Sequence, residues 1–307
     1  RGNAYKLFLN AEPRLTVSYF MTEHSSLKLG YSRNVQNIHL ISNSISPFTS
    51  LDVWLPSSFN IKPQRAHQLT LGYYHTDRQS RIAFSLESFW KGMSNQIDYD
   101  AHAQTLLNPL LESELKFGRA RAYGAELVVK RDEGRLRGWV GYTWARAKRK
   151  FPEINAGREY NAFYDRPHQV NILASYDIST RWQAGANWNY ATGSAYSSPV
   201  SFYSYNGEEV PVYGHKNNAR LPDYHRLDVS ATYRLNKNRQ NRFEHKLSFS
   251  VFNFYGRRNP LFLNFHKTEL ADSSLKIPGE VIHANRVTSQ YYLFGFTPSV
   301  SYSFKWL

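Results

Sequence analysis

Ser299-Val300-Ser301-Tyr302-Ser303-Phe304-Lys305-Trp306-Leu307 alternates polar and apolar residues without a break until Leu307. Successive side chains of a strand point to opposite faces. Val300, Tyr302, Phe304 and Trp306 therefore form one greasy face, and Ser299, Ser301, Ser303 and Lys305 form a polar one. The greasy face is aromatic. One such strand suits half of a sandwich core as well as a wall between lipid and water. The decision rests on whether the pattern repeats and on how the repeats are joined.

The pattern does repeat. Leu69, Leu71 and Tyr73 alternate with polar or small residues, as do Ile82, Phe84 and Leu86, and Val140, Tyr142 and Trp144. Val170, Ile172, Ala174 and Tyr176 oppose Asn171 and Ser175. Leu227, Val229, Ala231 and Tyr233 oppose Arg226, Asp228, Ser230 and Thr232. Period-two runs of this kind predict eleven strands, at about 13–21, 26–41, 64–76, 81–98, 112–131, 135–148, 163–176, 181–193, 222–235, 243–257 and 290–306. No helical period of comparable length competes.

Composition narrows the class. The 307 residues include 22 Tyr, 19 Phe and 7 Trp but no Cys, and the mean hydropathy is −0.57. That is aromatic and polar at once, as expected of a transmembrane barrel with apolar and polar faces and two aromatic girdles. No segment approaches the roughly 18–20 apolar residues of a spanning helix. The absence of Cys removes disulfides and thiolate chemistry. The formal net charge of +14 admits a nucleic-acid surface, a channel for anions, or a surface facing lipopolysaccharide phosphates. The basic residues are scattered rather than gathered in a stripe, which argues against nucleic acid. The chain opens at Arg1-Gly2-Asn3-Ala4 without a signal peptide and reads as a mature or truncated protein.

The connections carry the argument further. Those at 22–25, 77–80, 132–134, 177–180 and 236–242 are short and rich in Asp, Asn, Ser or Gly. Those near 42–63, 99–111, 149–162, 194–221 and 258–289 are long. Short and long alternate strictly. An up-and-down barrel in a bacterial outer membrane has short periplasmic turns and long outer loops. A soluble sandwich has no reason to place every long loop at one end. The expected fold is all-β, an antiparallel up-and-down transmembrane β-barrel. An odd number of strands does not close such a barrel, and open edges are costly in lipid. Residues 1–307 are therefore expected to be the C-terminal part of a larger barrel.

Ala122-Tyr123-Gly124-Ala125-Glu126-Leu127, Tyr164-Asp165-Arg166-Pro167-His168, Arg220-Leu221-Pro222-Asp223-Tyr224-His225-Arg226-Leu227-Asp228 and Asn253-Phe254-Tyr255-Gly256-Arg257-Arg258-Asn259-Pro260 occur in that order ahead of the aromatic last strand. Taken together, the chain resembles TonB-dependent outer-membrane receptors, particularly those of Bacteroidota. The resemblance implies a 22-stranded barrel, of which the eleven strands here would be half. It also implies a plug domain and a segment contacting the TonB complex upstream of this sequence, and insertion by the barrel-assembly machinery. Phe304 and Trp306 are the candidate assembly signal, with Leu307 a departure because that signal usually ends on the aromatic residue itself.

The implied activity is active transport of a nutrient ligand (a glycan, a peptide or a metal chelate) with no cofactor, no catalytic residue and no metal site in these residues. Glu87, Glu126, Asn187, Arg226 and Asp228 are expected to face the lumen. Aromatic residues crowd two outer loops, and Trp54, Tyr196, Tyr203, Tyr205 and Tyr213 are candidate ligand contacts. The same aromatics would also serve a self-packed loop or a surface lipoprotein lid. Other expected partners are outer-membrane lipid and lipopolysaccharide. Two alternatives stay open: a barrel enzyme of protease or lipase type, using Asp223 with His225 or Asp165 with His168, and a passive porin or structural barrel.

Overall fold

A computed structural model describes residues 6–41, 53–99, 103, 108–206, 208–236, 243–267, 282–283 and 286–306. Eleven strands form one antiparallel meander: β1 Arg14–Thr22, β2 Ser25–Gln36, β3 Gln64–Asp77, β4 Ile82–Tyr99, β5 Leu115–Arg131, β6 Leu136–Lys150, β7 His168–Asp177, β8 Trp182–Ala191, β9 Tyr224–Arg234, β10 Phe243–Phe252 and β11 Thr297–Trp306. Each pairs with its neighbours in sequence, and a two-residue strand at Tyr160–Asn161 adds to the edge of β6. Among the described residues no helix is long and apolar enough to cross a membrane.

The register sorts the side chains. Residues directly opposite in a ladder share a face. Val170 lies opposite Tyr142 and Tyr190, and Ile172 opposite Val140 and Trp188. Val229 lies opposite Ala186 and Val251, and Phe249 opposite Ala231 and Val300. These apolar residues thus form one continuous face. Glu87 opposes Glu126, Asn187 opposes Asp228, and Ser248 opposes Ser301, all on the other face. Many apolar residues remain exposed, among them Leu71, Leu86, Val140, Phe249 and Val300. The sheet has no hydrophobic interior of its own along its length. Among the described residues, small buried clusters occur only near the long-loop ends, around Ile61, Ile97 and Leu115 and around Phe151, Ile154 and Tyr160.

Among the described residues β1 pairs only with β2 and β11 only with β10, and both strands are exposed along their whole length.

Several strand ends differ from the sequence reading. The run expected at 26–41 breaks near Asn37, and Ile38–Ile41 folds over to pair with Val53–Pro56. Residues Leu111–Glu114 make one helical turn ahead of β5. Residues 163–167, expected as strand, form the turn into β7, where Asp165 N–H donates to the Ala162 carbonyl and Pro167 cannot extend a ladder as a donor. The run expected at 290–306 is two strands. Arg286–Tyr292 pairs with Pro260–Lys267 in a loop hairpin, and the left-handed backbone of Phe294 (φ 52) then turns the chain before β11.

Candidate functional site

The long connections all leave one end of the sheet, and charged groups beneath them tie one loop to the next. Asp98, at the far end of β4, is almost fully buried. Its carboxylate accepts hydrogen bonds from Arg149 (2.9 Å), the Tyr160 hydroxyl (2.7 Å) and Lys216 Nζ. Lys216 belongs to the 194–221 loop. Its ammonium also reaches the Tyr99 carbonyl and lies 4.4 Å from the centre of the Tyr99 ring. A buried carboxylate with cations on two sides and a hydroxyl on a third is satisfied only while all four segments stay in place.

A second tie lies one loop away. Asp165 is buried, accepts a 2.6 Å bond from the Ala147 backbone N–H, and pairs with Arg220. Arg220 also donates to the carbonyls of Asp165 (2.6 Å) and Gly193 (3.0 Å). At Gly193 a Cβ would sit 1.6 Å from the Leu221 carbonyl oxygen, so only glycine lets the two ends of the loop meet there. Asp223 then accepts bonds from Gly193 N–H (3.0 Å) and the Tyr190 hydroxyl (2.7 Å). In the next connection Asn253 N–H donates to Asp228 (2.9 Å) and its amide donates to the Arg257 carbonyl (2.8 Å), while Asn259 brackets the His225 backbone with bonds of 3.0 and 2.9 Å.

These contacts account for the motifs as loop fasteners. Asp165 and Asp223 are committed to backbone amides and to Arg220 or Tyr190. His168 Nδ1 faces the Tyr142 hydroxyl (2.9 Å) and His225 Nδ1 faces that of Tyr255 (2.8 Å). Neither histidine engages the carboxylate suggested by its spacing. The sequence marks Asp165 and Arg220 as members of separate motifs but carries no signal that they meet, and Asp98, Arg149 and Lys216 lie outside every motif.

Above the ties, a recess of about 180 Å³ opens between Gln36, Ile41, Gln96, Tyr164 and Asn217. The candidate contact residues surround this end but do not converge. Trp54 lies in the Val53–Pro56 strand opposite Leu40 and is exposed. Tyr196 pairs with Ala219 at the root of the 194–221 loop. Tyr203 and Tyr205 stand exposed on a hairpin of Pro199–Tyr205 with Glu208–Tyr213. Tyr213 sits at the base of that hairpin, where burial raises its phenol above its usual range. The arrangement offers separated aromatic surfaces over a rigid polar floor, suited to holding a ligand larger than the recess.

On the apolar face, aromatic and histidine side chains form two lines. Tyr31 meets His67, Tyr142 meets His168 and Tyr255 meets His225 toward the long-loop end. Ser25 meets His75 and Tyr302 meets His245 toward the short-turn end. Near the second line Phe243 stacks on Phe304 (5.2 Å) and contacts Trp306 edge-on (5.1 Å), so the two candidate assembly residues share a partner on β10. The ladder row through His168 crosses β3 at Leu71, and the row through His225 crosses it at Tyr73. From His67 those are displacements of about four residues over four strands and six over six, in the same sense. One residue per strand, with strands about 4.8 Å apart and a rise of about 3.3 Å, corresponds to a tilt of about 35°. That is the strand tilt of a closed barrel.

The β-barrel family model described as TonB dependent receptor-like matches residues 4–254. The chain belongs to the TonB-dependent receptor β-barrel family. Its place is the bacterial outer membrane, and the family and its structural neighbours are receptors rather than enzymes. The fold is similar to that of the ferric yersiniabactin uptake receptor of Yersinia pestis (TM-score 0.56, 14% identity, 94% of this chain and 36% of that one). It is also similar to the pyoverdine outer-membrane receptor of Pseudomonas aeruginosa PAO1 (0.54, 14%, 81% and 32%) and the ferric-catecholate import receptor of E. coli K12 (0.53, 17%, 80% and 31%). The chain spans about a third of the length of these receptors. Sequence comparison with curated proteins finds no match.

Proposed function

We propose that this chain supplies part of the barrel of a TonB-dependent active transporter, which captures a scarce ligand outside the cell and admits it through a gated lumen. The observation that carries this reading is the single meander with an aromatic face, a charged face and all its long loops at one end. The aromatic face meets lipid. The two histidine lines are eight residues apart on β3, from His67 to His75, or about 22 Å along the membrane normal at a 35° tilt. An outer-membrane barrel has an apolar band about 25 Å tall between its girdles.

The opposite face then lines the lumen and carries Glu87, Glu126, Asn187, Arg226 and Asp228. Water accepts these groups at little cost, whereas lipid would not. The long loops face outward, where Trp54, Tyr196, Tyr203, Tyr205 and Tyr213 meet the ligand or a lipoprotein lid. The outer edges of β1 and β11 call for further strands, because unpaired backbone in lipid costs several kcal/mol per group. We read these as the remainder of a 22-stranded, Bacteroidota-like barrel, with a plug and a TonB-contacting segment outside this sequence and insertion by the barrel-assembly machinery.

The ligand is a glycan, a peptide or a metal chelate; the ferric-chelate receptors among the structural neighbours favour the last. The test is growth of cells carrying or lacking the full-length protein on each ligand class as sole source, with and without an uncoupler. Growth that needs both the protein and the proton-motive force supports the proposal. Uptake that survives the uncoupler would favour a passive pore.

A further inference from the structure

Six cations gather on the apolar face at and just beyond the upper aromatic line. Ladder register sets them in two adjacent rows across β2 to β6. In one row Arg65 lies opposite Ser94, Ser94 opposite Arg119, and Arg119 opposite Lys150. In the other, Arg33 lies opposite His67, His67 opposite Gly92, Gly92 opposite Arg121, and Arg121 opposite Lys148. The row beneath is aromatic and apolar over β2 to β5: Tyr31, Leu69, Trp90 and Tyr123.

Folding alone gives no reason for this pattern. Like charges directly opposite on a sheet are destabilising, and Arg119–Lys150 and Arg121–Lys148 are two such pairs side by side. Nearby groups satisfy only part of the patch, and Lys148 donates to Asn161 (2.7 Å). Glu159 pairs with Arg121 (2.9 Å) and Glu12 lies by Arg14 (3.9 Å). Among the described residues Arg65, Arg119 and Lys150 have no carboxylate partner and are exposed, and Arg33 Nε is buried without a hydrogen-bond acceptor. Ser94 is small and separates Arg65 from Arg119, while the Trp90 ring lies over Gly92.

We propose that this patch binds the phosphate groups of an outer-leaflet lipid headgroup. The inference rests on the reading above that the aromatic face meets lipid. At the tilt derived there, Arg33 lies level with the aromatic line and the other five cations lie within about 15 Å beyond it, at headgroup height. Each Lys or Arg near an anionic membrane surface adds to the attraction, and arginine holds phosphate through paired N–H donors. A phosphate between Arg119 and Lys150 turns a repulsive pair into a clamp.

The experiment uses the full-length protein purified in neutral detergent, with lipid retention measured by native mass spectrometry. The probes are bisphosphorylated lipid A, the same lipid with its phosphates removed, and inorganic phosphate. The expected result is that wild type retains bisphosphorylated lipid A about tenfold better than the dephosphorylated form. The Arg65→Gln/Arg119→Gln/Lys150→Gln variant should lose that preference. A control removing three cations from the other face, Lys28→Gln/Lys91→Gln/Lys130→Gln, should keep it. Equal retention of the two lipids by wild type overturns the proposal even if a variant fails to fold. So does an unchanged preference in the first variant, or competition by inorganic phosphate at matched concentration. Quenching of tryptophan fluorescence by brominated lipid separates the two levels: quenching without phosphate preference defeats this inference alone, whereas absent quenching defeats the lipid-facing reading beneath it.

Discussion

Arg220 and Asp165, 55 residues apart in sequence, form an ion pair that closes the 194–221 loop onto the end of β6, because Asp165 also holds the Ala147 amide. Asp165 has almost no exposed surface. Removing one member of a buried pair leaves the other charge uncompensated, at a cost of about 3–5 kcal/mol. Asp165→Ala and Arg220→Ala should therefore each loosen the outer loops while the barrel, held by its ladders, still inserts. Limited proteolysis of outer-membrane preparations checks this. Cleavage within 194–221 should rise in both variants, and the double variant should be no worse than the more severe single one. Additive effects would show that the two residues act separately.

His39 gives a pH dependence. It lies in the Ile38–Ile41 strand with no exposed surface, its Nε2 is 3.0 Å from the Ser57 hydroxyl, and its Nδ1 is buried without a partner. Burial holds the imidazole below its usual 6.5. The unfolded segment therefore takes up a proton at a higher pH than the folded one. Stability is full above about pH 6.5 and falls as pH drops from there toward the folded value. Protection factors for amide exchange in Ile38–Ile41 and Val53–Pro56, taken against the unfolded-chain rate at each pH, should fall between pH 7 and pH 5, and His39→Gln should flatten that dependence. A slope unchanged by the substitution would remove His39 as its source.

The strands were legible in the sequence because a wall between lipid and water enforces alternation at nearly every residue, so Val170, Ile172, Leu227 and Val229 declare their shared face before any partner is known. The errors fell where that wall ends. Gln290, Tyr291 and Tyr292 read as the start of the last strand but belong to the hairpin strand Arg286–Tyr292, which the left-handed turn at Phe294 separates from β11. The fasteners of the outer loops were not legible. Lys216 reaches Asp98 across 118 residues, and a contact of that kind leaves no local period. Asp223 with His225 looked like paired chemistry, but each has a different partner, Tyr190 and Tyr255.

The aromatic cluster at the short-turn end predicts how the barrel assembles. Phe304 and Trp306 both pack on Phe243 across the β10–β11 ladder. Trp306→Ser and Phe304→Ser should lower the outer-membrane level of the full-length protein, and Phe243→Ser should do so to a similar degree because it removes their shared partner. Deleting Leu307 should have a smaller effect. Quantitative immunoblotting of isolated outer membranes tests the order. Equal levels in all four would remove any special role for the cluster.

The last prediction concerns where ligand is held. Tyr203 and Tyr205 alternate with Phe202 and Ser204 on a hairpin arm, so both rings project from one side of it and both remain exposed. The base of the arm is fixed: Ser198 N–H donates to Asn218 (2.7 Å), Asn217 donates to the Asn161 carbonyl (2.7 Å), and Lys216 is held by Asp98. A rigid base with exposed aromatics at the end pre-organises a contact surface, and aromatic anchors of this kind commonly cost about 2 kcal/mol or more when truncated. Tyr203→Ala/Tyr205→Ala should therefore weaken capture of ligand or lid partner by about 30-fold or more, while protein level and heat-modifiable migration stay at wild-type values. Lys216→Met should weaken capture too, by freeing the base, and should add proteolytic sensitivity that the tyrosine variant lacks. Binding to whole cells at 4 °C isolates capture from energised uptake. Undiminished capture in the tyrosine variant would move the contact away from this arm, toward Trp54 on the neighbouring loop.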